Sequence, residues 1–174
     1  MDLSVLDRLD GAPLHLLLAE PAKVFETITY PLQGSGKVVR TVRGHKMRTF
    51  QGLFDEFGAA LQFPDYFGEN WAAFEESLTD LDWLGYSVPG YVVVVTHAGE
   101  LLADESPGQF EDLLLLFGRA AGEWATPVED GEWWDRPGRP FHVVLQETPD
   151  AGEALLAKLR LADDIPLGEV WRPE

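Results

Sequence analysis

The hydrophobic pattern of the chain predicts a set of buried β-strands. Tyr91–Thr96 (YVVVVT) is a continuous run of apolar, mostly β-branched residues, which is typical of a strand covered on both faces. Lys37–Arg43 (KVVRTVR) and Phe141–Gln146 (FHVVLQ) are predicted to be strands of the same sheet, and Leu14–Ala19, a short apolar run between two prolines, an additional strand. Strands covered on both faces occur in parallel sheets, so a parallel sheet is predicted.

Segments with helical spacing alternate with these strands. Thr49 can cap a helix in which apolar residues recur at three- and four-residue intervals as far as Leu61. A strongly apolar helix is predicted to begin near Phe110 and to end near Trp124, and a short amphipathic helix is predicted over Ala151–Leu161. This alternation predicts an α/β domain of two or three layers, with right-handed crossovers between parallel strands.

Three segments have weaker patterns. Lys23–Tyr30 (KVFETITY) is rich in β-branched and aromatic residues, which favours another edge strand. Residues 126–140 hold three Pro and two Gly, so an irregular connection is predicted there. Its Trp133 and Trp134 are expected to fold this loop onto the core rather than to stack on a base or sugar, because neighbouring acids would repel phosphates. No element is predicted for 165–174.

The segment 63–84 (FPDYFGENWAAFEESLTDLDWL) begins with a well-marked loop. Pro64 resists helix continuation, and Gly68 accepts backbone angles that other residues avoid. Asn70 is then predicted to be the N-cap of a helix, because its side-chain oxygen can accept a hydrogen bond from the first turn.

The helix predicted after Asn70 has one apolar and one acidic side. Its buried face is predicted from three- and four-residue spacing to comprise Trp71, Phe74, Leu78 and Leu81. At roughly 100° per residue, Glu76 and Asp80 point to the opposite side. Gly85 is predicted to end the helix.

Acidic residues dominate the charge of the chain. Thirteen Lys and Arg against 30 Asp and Glu give a formal net charge of −17. Such a charge disfavours direct binding to nucleic acid by simple repulsion, and it favours a basic protein as partner. The alternative interpretation is that the acids only keep the protein in solution.

The composition also bears on the cellular compartment. Cysteine is absent, which excludes disulfides, thiolate zinc sites and cysteine nucleophiles and suits a reducing cytoplasm. The N-terminus (MDLSVLDRLDG) has acids where a signal peptide has basic residues. No stretch approaches the roughly 20 apolar residues of a membrane-spanning helix. We therefore expect a cytoplasmic protein that does not contact membranes.

Catalytic chemistry has little support in the sequence. It contains no serine nucleophile elbow, no H-E-x-x-H zinc motif, no phosphate loop and no dinucleotide fingerprint. His15 and His142 lie inside apolar runs, which favours hydrogen-bonded core histidines. His97 follows a predicted central strand, where parallel sheets bind ligands, and is the best-placed candidate for catalysis. We predict that the protein is not an enzyme and uses no cofactor or metal.

The segment 63–84 closely resembles a motif of the barstar family of ribonuclease inhibitors. That family has a pattern like L-P-x-Y-Y-G-x-N-x-x-A-x-x-x-x-L where a loop enters its second helix, and the matching residues here are Pro64, Tyr66, Phe67, Gly68, Asn70, Ala73 and Leu78. The order of strands and helices is also similar over Lys37–Glu147. The resemblance implies a barstar-like α/β fold, with a small parallel three-stranded sheet packed with helices, one or more extra N-terminal strands and a C-terminal helix.

The resemblance also implies a domain organisation. Residues 1–174 are expected to form a single barstar-like domain with its core at about 37–147. Residues 1–36 would then be an N-terminal extension and 148–174 a C-terminal extension.

The resemblance further implies a function. In the family, the loop and second helix occlude the active site of a basic ribonuclease, with carboxylates in place of substrate phosphates. The chain would accordingly be an inhibitor, of the immunity-protein or antitoxin type. By position, together with the acids beside them, its partner-binding residues would be Tyr66, Phe67, Asn70, Glu75, Glu76, Thr79, Asp80, Trp83 and Glu123.

Departures from the family pattern leave the partner open. Ala72 replaces a contact Asp, Glu75 stands where the family has a Trp, and Arg119 falls where a helix carboxylate contributes to binding. Glu76, at the position of a key Asp, retains the charge with one more methylene. The alternative is therefore the same fold binding a non-ribonuclease toxin or an endogenous regulatory protein.

Overall fold

A five-stranded parallel sheet forms the centre of the computed structural model, which describes residues 1–85, 87–161 and 166–173. Its strands are β1 (Leu14–Leu18), β2 (Val38–Arg43), β3 (Tyr91–Thr96), β4 (Phe141–Glu147) and β5 (Leu167–Trp171). They lie in the order β2-β3-β4-β1-β5, and every neighbouring pair is parallel. The strands predicted from continuous apolar runs are confirmed.

Helices connect these strands. A short first helix is followed by four longer ones: α1 (Tyr30–Leu32), α2 (Phe50–Leu61), α3 (Trp71–Asp80), α4 (Gly108–Ala125) and α5 (Pro149–Leu161). The predicted caps are confirmed, because Thr49 accepts a hydrogen bond from Gly52 N at 3.3 Å and Asn70 accepts one from Ala73 N at 3.0 Å. Within the described ranges, no helix has the length and apolar character needed to cross a membrane.

Alternate residues of the central strands face two different layers. Val93 and Val95 of β3 belong to a hydrophobic cluster that includes buried residues of four helices: Leu53, Phe57, Phe74, Leu78, Leu113, Phe117 and Leu155. Val92 and Val94 face the other way and cluster with residues of the N-terminal segment: Leu6, Val24, Ile28 and Leu32. The helices α2–α5 therefore cover one face of the sheet, and the first part of the chain covers the other.

The prediction of an edge strand at Lys23–Tyr30 is wrong. This stretch lies in consecutive helical turns, of which Phe25–Thr29 is π-helical and α1 follows directly. Val24, Ile28 and Leu32 recur every four residues and are all buried against the sheet. Helical burial of this stripe therefore outweighed the strand preference of its β-branched residues.

The predicted number of strands also needs correction, because the sheet has β5 in addition to the three central strands and β1. This strand lies in the tail for which no element was predicted; Ile165 and Glu174 of that tail are outside the described residues. Its sequence, LGEVW, is only half-buried and contains Gly168. Pairing with β1 and stacking of the Trp171 ring on His15, with centroids 5.1 Å apart, hold it in place.

Two further predictions are wrong, one about where α3 ends and one about the packing of the Trp133–Trp134 loop. The helix α3 ends at Asp80, where fully buried Leu81 adopts a left-handed conformation, and Gly85 ends only the short 3-10 turn that follows. Trp133 and Trp134 are not folded onto the core, since 75% and 46% of their surfaces are exposed. Hydrogen bonds to the carboxylate of Asp135 organise their loop instead.

Candidate functional site

The loop before α3 exposes one aromatic side chain to solvent and packs another against neighbouring phenylalanines. Phe67 packs edge-to-face on Phe54 and Phe63, with ring centroids 5.9 and 4.9 Å away. Its backbone N–H donates to Pro64 O at 2.8 Å, which closes a turn around residue 66. Tyr66, at the tip of that turn, is 80% exposed. The loop is therefore anchored by Phe67 and projects Tyr66 into solvent.

Asn70 joins this loop to the helix. Its Oδ1 accepts from Ala73 N at 3.0 Å, and its Nδ2 donates to Gly68 O at 3.0 Å. A Cβ at Gly68 would lie 2.9 Å from Asn70 Nδ2, so a larger residue there would displace the Asn70 amide. Asn70 thus holds the loop and the first turn of α3 in one geometry.

The helix α3 is held by its buried apolar face and by a hydrogen bond from α4. Phe74 and Leu78 are fully buried, whereas Glu76 and Asp80 are exposed on the opposite side, as predicted. Trp124 of α4 donates through Nε1 to Leu78 O at 2.8 Å. The acidic side of α3 is consequently presented from a rigid base.

A groove runs between α3 and α4, which lie side by side in parallel. We call it the α3–α4 groove; it is lined by Ala72, Glu75, Glu76, Thr79, Arg119 and Glu123. An ion pair crosses it, with Arg119 Nε 2.6 Å from Glu75 Oε1 and Nη2 3.4 Å from Glu75 Oε2. The Thr79 hydroxyl donates within its own helix, to the carbonyls of Glu75 and Glu76.

A second, smaller depression lies on the loop side of α3. Its lining residues are Tyr66, Phe67, Ala73, Glu76, Ser77, Asp80 and Trp83. Trp83 is fixed by a 2.8 Å hydrogen bond from Nε1 to Leu61 O and by edge-to-face contact with Phe63. Glu76 borders both this loop-side depression and the α3–α4 groove, and so stands on the ridge between them.

The surface around Glu76 is strongly acidic. Of the four acids that line the two depressions, Glu75 is in an ion pair, while Glu76, Asp80 and Glu123 are in none of the ion pairs that the described residues form. Desolvation, followed by repulsion from Asp80, raises the pKa of nearby Asp82. The negative potential here suits a cationic partner.

The structure brings eight of the nine residues predicted for partner binding into these two adjoining depressions. Asn70, the ninth, lines neither and acts through the loop. The sequence analysis did not predict that Ser77, one helical turn after Ala73, lines the loop-side depression. It also missed that Glu75 and Arg119 pair with each other, because their separation of 44 residues leaves no local signal.

The histidines lie elsewhere. His15 and His142 are buried and 3.1 Å apart through Nε2 and Nδ1, as predicted for core histidines. His97 lies at the carboxyl end of β3, with its Nδ1 3.3 Å from that of His45. Neither His45 nor His97 lines the groove or the loop-side depression.

Comparison with known proteins identifies the family. Residues 38–146 match the family model described as Barstar (barnase inhibitor). No curated protein matches the chain. The chain is similar in fold to part of a solved structure of Drosophila ORC bound to DNA, with 14% identity, a TM-score of 0.56, and coverage of 94% of this chain and 26% of the ORC chain.

A second solved structure, of Drosophila ORC bound to AT-rich DNA and Cdc6, gives 14% identity, a TM-score of 0.59, and coverage of 97% of this chain and 26% of the other. The chain thus spans about a quarter of each of these two chains, and at this identity the similarity concerns the fold alone. The family model, in contrast, matches more than half of the sequence and includes the loop and helix described above. The chain therefore belongs to the barstar family, whose members share a barnase-inhibitor-like fold.

Proposed function

We propose that the protein inhibits a basic ribonuclease by covering its active site with the loop before α3 and the α3–α4 groove. The observation that carries this proposal is the position of Glu76. It is exposed, borders both depressions and is in none of the described ion pairs, so its carboxylate is available for a cationic group of the enzyme. Membership of an inhibitor family supports the same conclusion.

Charge and shape support this proposal in different ways. The net charge of −17 would attract a basic enzyme over long range and would raise its association rate. Tyr66 and Trp83 supply aromatic area in the same depression as Glu76 and Asp80, and aromatic residues often carry much of the binding energy of an interface. A basic active site that binds RNA phosphates has the complementary charge.

We further propose that the protein acts in the cytoplasm as an immunity protein or antitoxin, that it is not itself an enzyme, and that a protein is its direct partner. Residues 1–174 would form one domain. Support for a single domain comes from the sheet, in which β1 of the N-terminal extension and β5 of the C-terminal extension are hydrogen-bonded neighbours.

The decisive experiment compares Glu76→Arg with Glu20→Arg. Both variants change the net charge equally, but Glu20 is an exposed residue of the N-terminal segment, outside both depressions. RNA cleavage by barnase and by a panel of other small basic ribonucleases is measured with increasing amounts of each protein. We expect wild type to inhibit at least one enzyme, and Glu76→Arg to weaken that inhibition by roughly 100-fold or more.

The control should behave differently. Glu20→Arg is expected to inhibit within about threefold of wild type, since a single remote charge affects mainly long-range attraction. If Glu76→Arg inhibits as well as wild type while remaining folded, the interface lies elsewhere. If no basic ribonuclease is inhibited, ribonuclease inhibition itself is refuted.

A second candidate function is binding of a protein toxin that is not a ribonuclease, or of an endogenous regulatory protein. The Arg119–Glu75 ion pair favours it, because it places a cation in the groove, at a position where the family resemblance implies a carboxylate. Rescue of cells from a non-nuclease toxin by wild type, and loss of rescue in Arg119→Glu, would support this alternative.

A further inference from the structure

The loop between α4 and β4 has a paired stem. Residues 126–140 form what we call the Trp hairpin. Val128 N donates to Arg136 O at 2.9 Å and Arg136 N donates to Val128 O at 3.1 Å, which makes a single antiparallel bridge at its base. The segment, which lies within the described residues, contains no helix or strand and is the irregular connection that its Pro and Gly content predicts, but this one backbone bridge closes its base.

The tip of the Trp hairpin is also organised. The carboxylate of Asp135 accepts from Asp130 N and Gly131 N, both at 2.9 Å. The Trp134 indole donates through Nε1 to Asp130 Oδ2 at 3.3 Å. These bonds hold the backbone and one indole before any partner arrives, and such preorganisation reduces the entropy lost on binding.

The root of the Trp hairpin is fixed to the end of α4. The guanidinium of Arg136 lies over the ring of buried Trp124, 4.4 Å from its centroid. It also donates to the carbonyls of Thr126, Trp124 and Glu123, at 3.1, 3.3 and 3.4 Å. The root of the hairpin therefore lies beside Glu123, one of the residues that line the α3–α4 groove.

The exposed tip has a distinctive chemistry. The indoles of Trp133 and Trp134 lie edge-to-face with centroids 5.5 Å apart, and both are substantially exposed. Glu129, Asp130 and Glu132 are their neighbours in the chain and are exposed as well. Indole faces attract cations, and the acids add to that attraction while repelling phosphates. An arginine or lysine side chain fits this combination of groups.

We propose that the Trp hairpin is a second contact surface for the same basic protein partner, with Trp133 and Trp134 receiving an arginine side chain of that protein. The inference rests on the proposed function for the identity of the partner. Its own support is the hydrogen-bonded, acid-flanked indole pair and the attachment of the hairpin root beside Glu123 of the α3–α4 groove. The hairpin would extend the interface beyond the loop and α3. It would favour partners that have a basic residue opposite the two indoles.

The first test measures affinity for a ribonuclease that wild type inhibits. The double variant Trp133→Ala/Trp134→Ala keeps the net charge and removes both indoles. Tyr30→Ala is the matched control, since it removes an exposed aromatic ring from α1, which covers the other face of the sheet. We expect the double variant to bind about tenfold more weakly or worse, chiefly through faster dissociation, and Tyr30→Ala to bind like wild type.

The same measurement separates the two proposals. If Glu76→Arg loses binding while the double Trp variant stays within about twofold of wild type, ribonuclease inhibition stands and the hairpin contact is refuted. Circular dichroism and urea denaturation of each variant show whether a loss of binding is due to a loss of structure. If wild type inhibits no ribonuclease, the shared partner is refuted together with the proposed function.

A second test needs no ribonuclease. The indole N–H signals of Trp133 and Trp134 are followed by NMR during titration with the peptide acetyl-Gly-Arg-Arg-Gly-amide and with the peptide in which neutral citrulline replaces both arginines. We expect both signals to shift with the arginine peptide, and to shift much less with citrulline. Equal shifts with the two peptides, or no shift with either, would overturn recognition of a cation by the hairpin.

Discussion

Glu75 and Glu76 are neighbours in the chain with different electrostatic roles. Glu75 is held by Arg119 across the α3–α4 groove, at 2.6 Å, whereas Glu76 stands on the ridge beside it and is in none of the described ion pairs. The family resemblance implies that both members of this pair depart from the family pattern. The structure joins the two residues in one ion pair, in which their charges compensate each other.

Removal of the Arg119 side chain should therefore make the groove more acidic. We expect Arg119→Ala to raise the association rate with a basic ribonuclease several-fold at low salt, and to change the free energy of unfolding by less than about 1 kcal/mol, because exposed ion pairs contribute little. Stopped-flow binding at several salt concentrations measures the first effect, and urea denaturation the second.

Arg43→Ala is the matched control for Arg119→Ala. Arg43 is also exposed and pairs with a carboxylate, that of Glu56 at 2.6 Å, but it lies at the end of β2 and outside both depressions. It should change the association rate less than Arg119→Ala does. A loss of affinity of tenfold or more in Arg119→Ala would mean instead that the guanidinium contacts the partner directly.

At the scale of elements, the loop and helix α3 act as one unit because Asn70 bonds to both. Its side chain accepts from Ala73 N in the first helical turn and donates to Gly68 O in the loop. Phe67 anchors the other end of the loop between Phe54 and Phe63. The position of Tyr66 relative to Glu76 consequently depends on a side chain that lines neither depression.

Asn70→Ala should affect both stability and binding. We expect a loss of about 1 kcal/mol in the free energy of unfolding from the missing cap, together with weaker ribonuclease inhibition because the loop is released from the helix. Thr49→Ala provides the comparison, since it removes the cap of α2 and leaves this loop intact. It should lose similar stability with unchanged inhibition. Equal inhibition by both variants would contradict a positioning role for Asn70.

At the scale of the whole molecule, a buried chain of hydrogen bonds connects both extensions to the sheet. Glu169 N of β5 donates to His15 Nδ1 of β1 at 3.1 Å. His15 Nε2 must then carry the proton that is shared with His142 Nδ1 of β4 at 3.1 Å, and His142 Nε2 donates to Arg8 O at 3.1 Å. Two neutral imidazoles satisfy every donor and acceptor in this chain.

This arrangement opposes protonation of the histidines. Burial, followed by repulsion from His142, lowers the pKa of His15 to about 4. Burial also lowers the pKa of His142, with nearby Lys37 lowering it further and Asp7 opposing that effect. An unfolded histidine has a pKa near 6.5, so between these values the unfolded state binds more protons than the folded state.

Stability from His15 should accordingly be fully present above about pH 6.5 and should be lost as the pH falls towards 4, by an amount on the order of 3 kcal/mol. Urea denaturation at pH 7.5 and pH 4.5 measures the loss. His15→Gln keeps one acceptor and one donor but cannot titrate, so the difference in stability between the two pH values should be smaller for this variant. An NMR titration that places the pKa of His15 near 6.5 would contradict the prediction.

Sequence patterns were reliable for continuous apolar runs and helix caps, and they failed in two other segments. The continuous apolar runs of β3 and β4 and the caps at Thr49 and Asn70 correspond to the observed elements. The half-buried β5 was missed, and residues 23–30 were assigned to the wrong element. A strand whose stability comes from pairing with β1 carries little of its own signal, since strand propensity depends on its neighbours.

The sequence by itself determined the α/β class, the loop and N-cap at residues 63–70 and the acidic outer side of α3, because these features depend on local spacing and capping chemistry. Tertiary structure alone decided that Glu75 would pair with Arg119 while Glu76 stays outside the described ion pairs. It also decided that both extensions join one sheet, and that Trp133 and Trp134 stay exposed. Such features arise from contacts between distant residues, which no local pattern encodes.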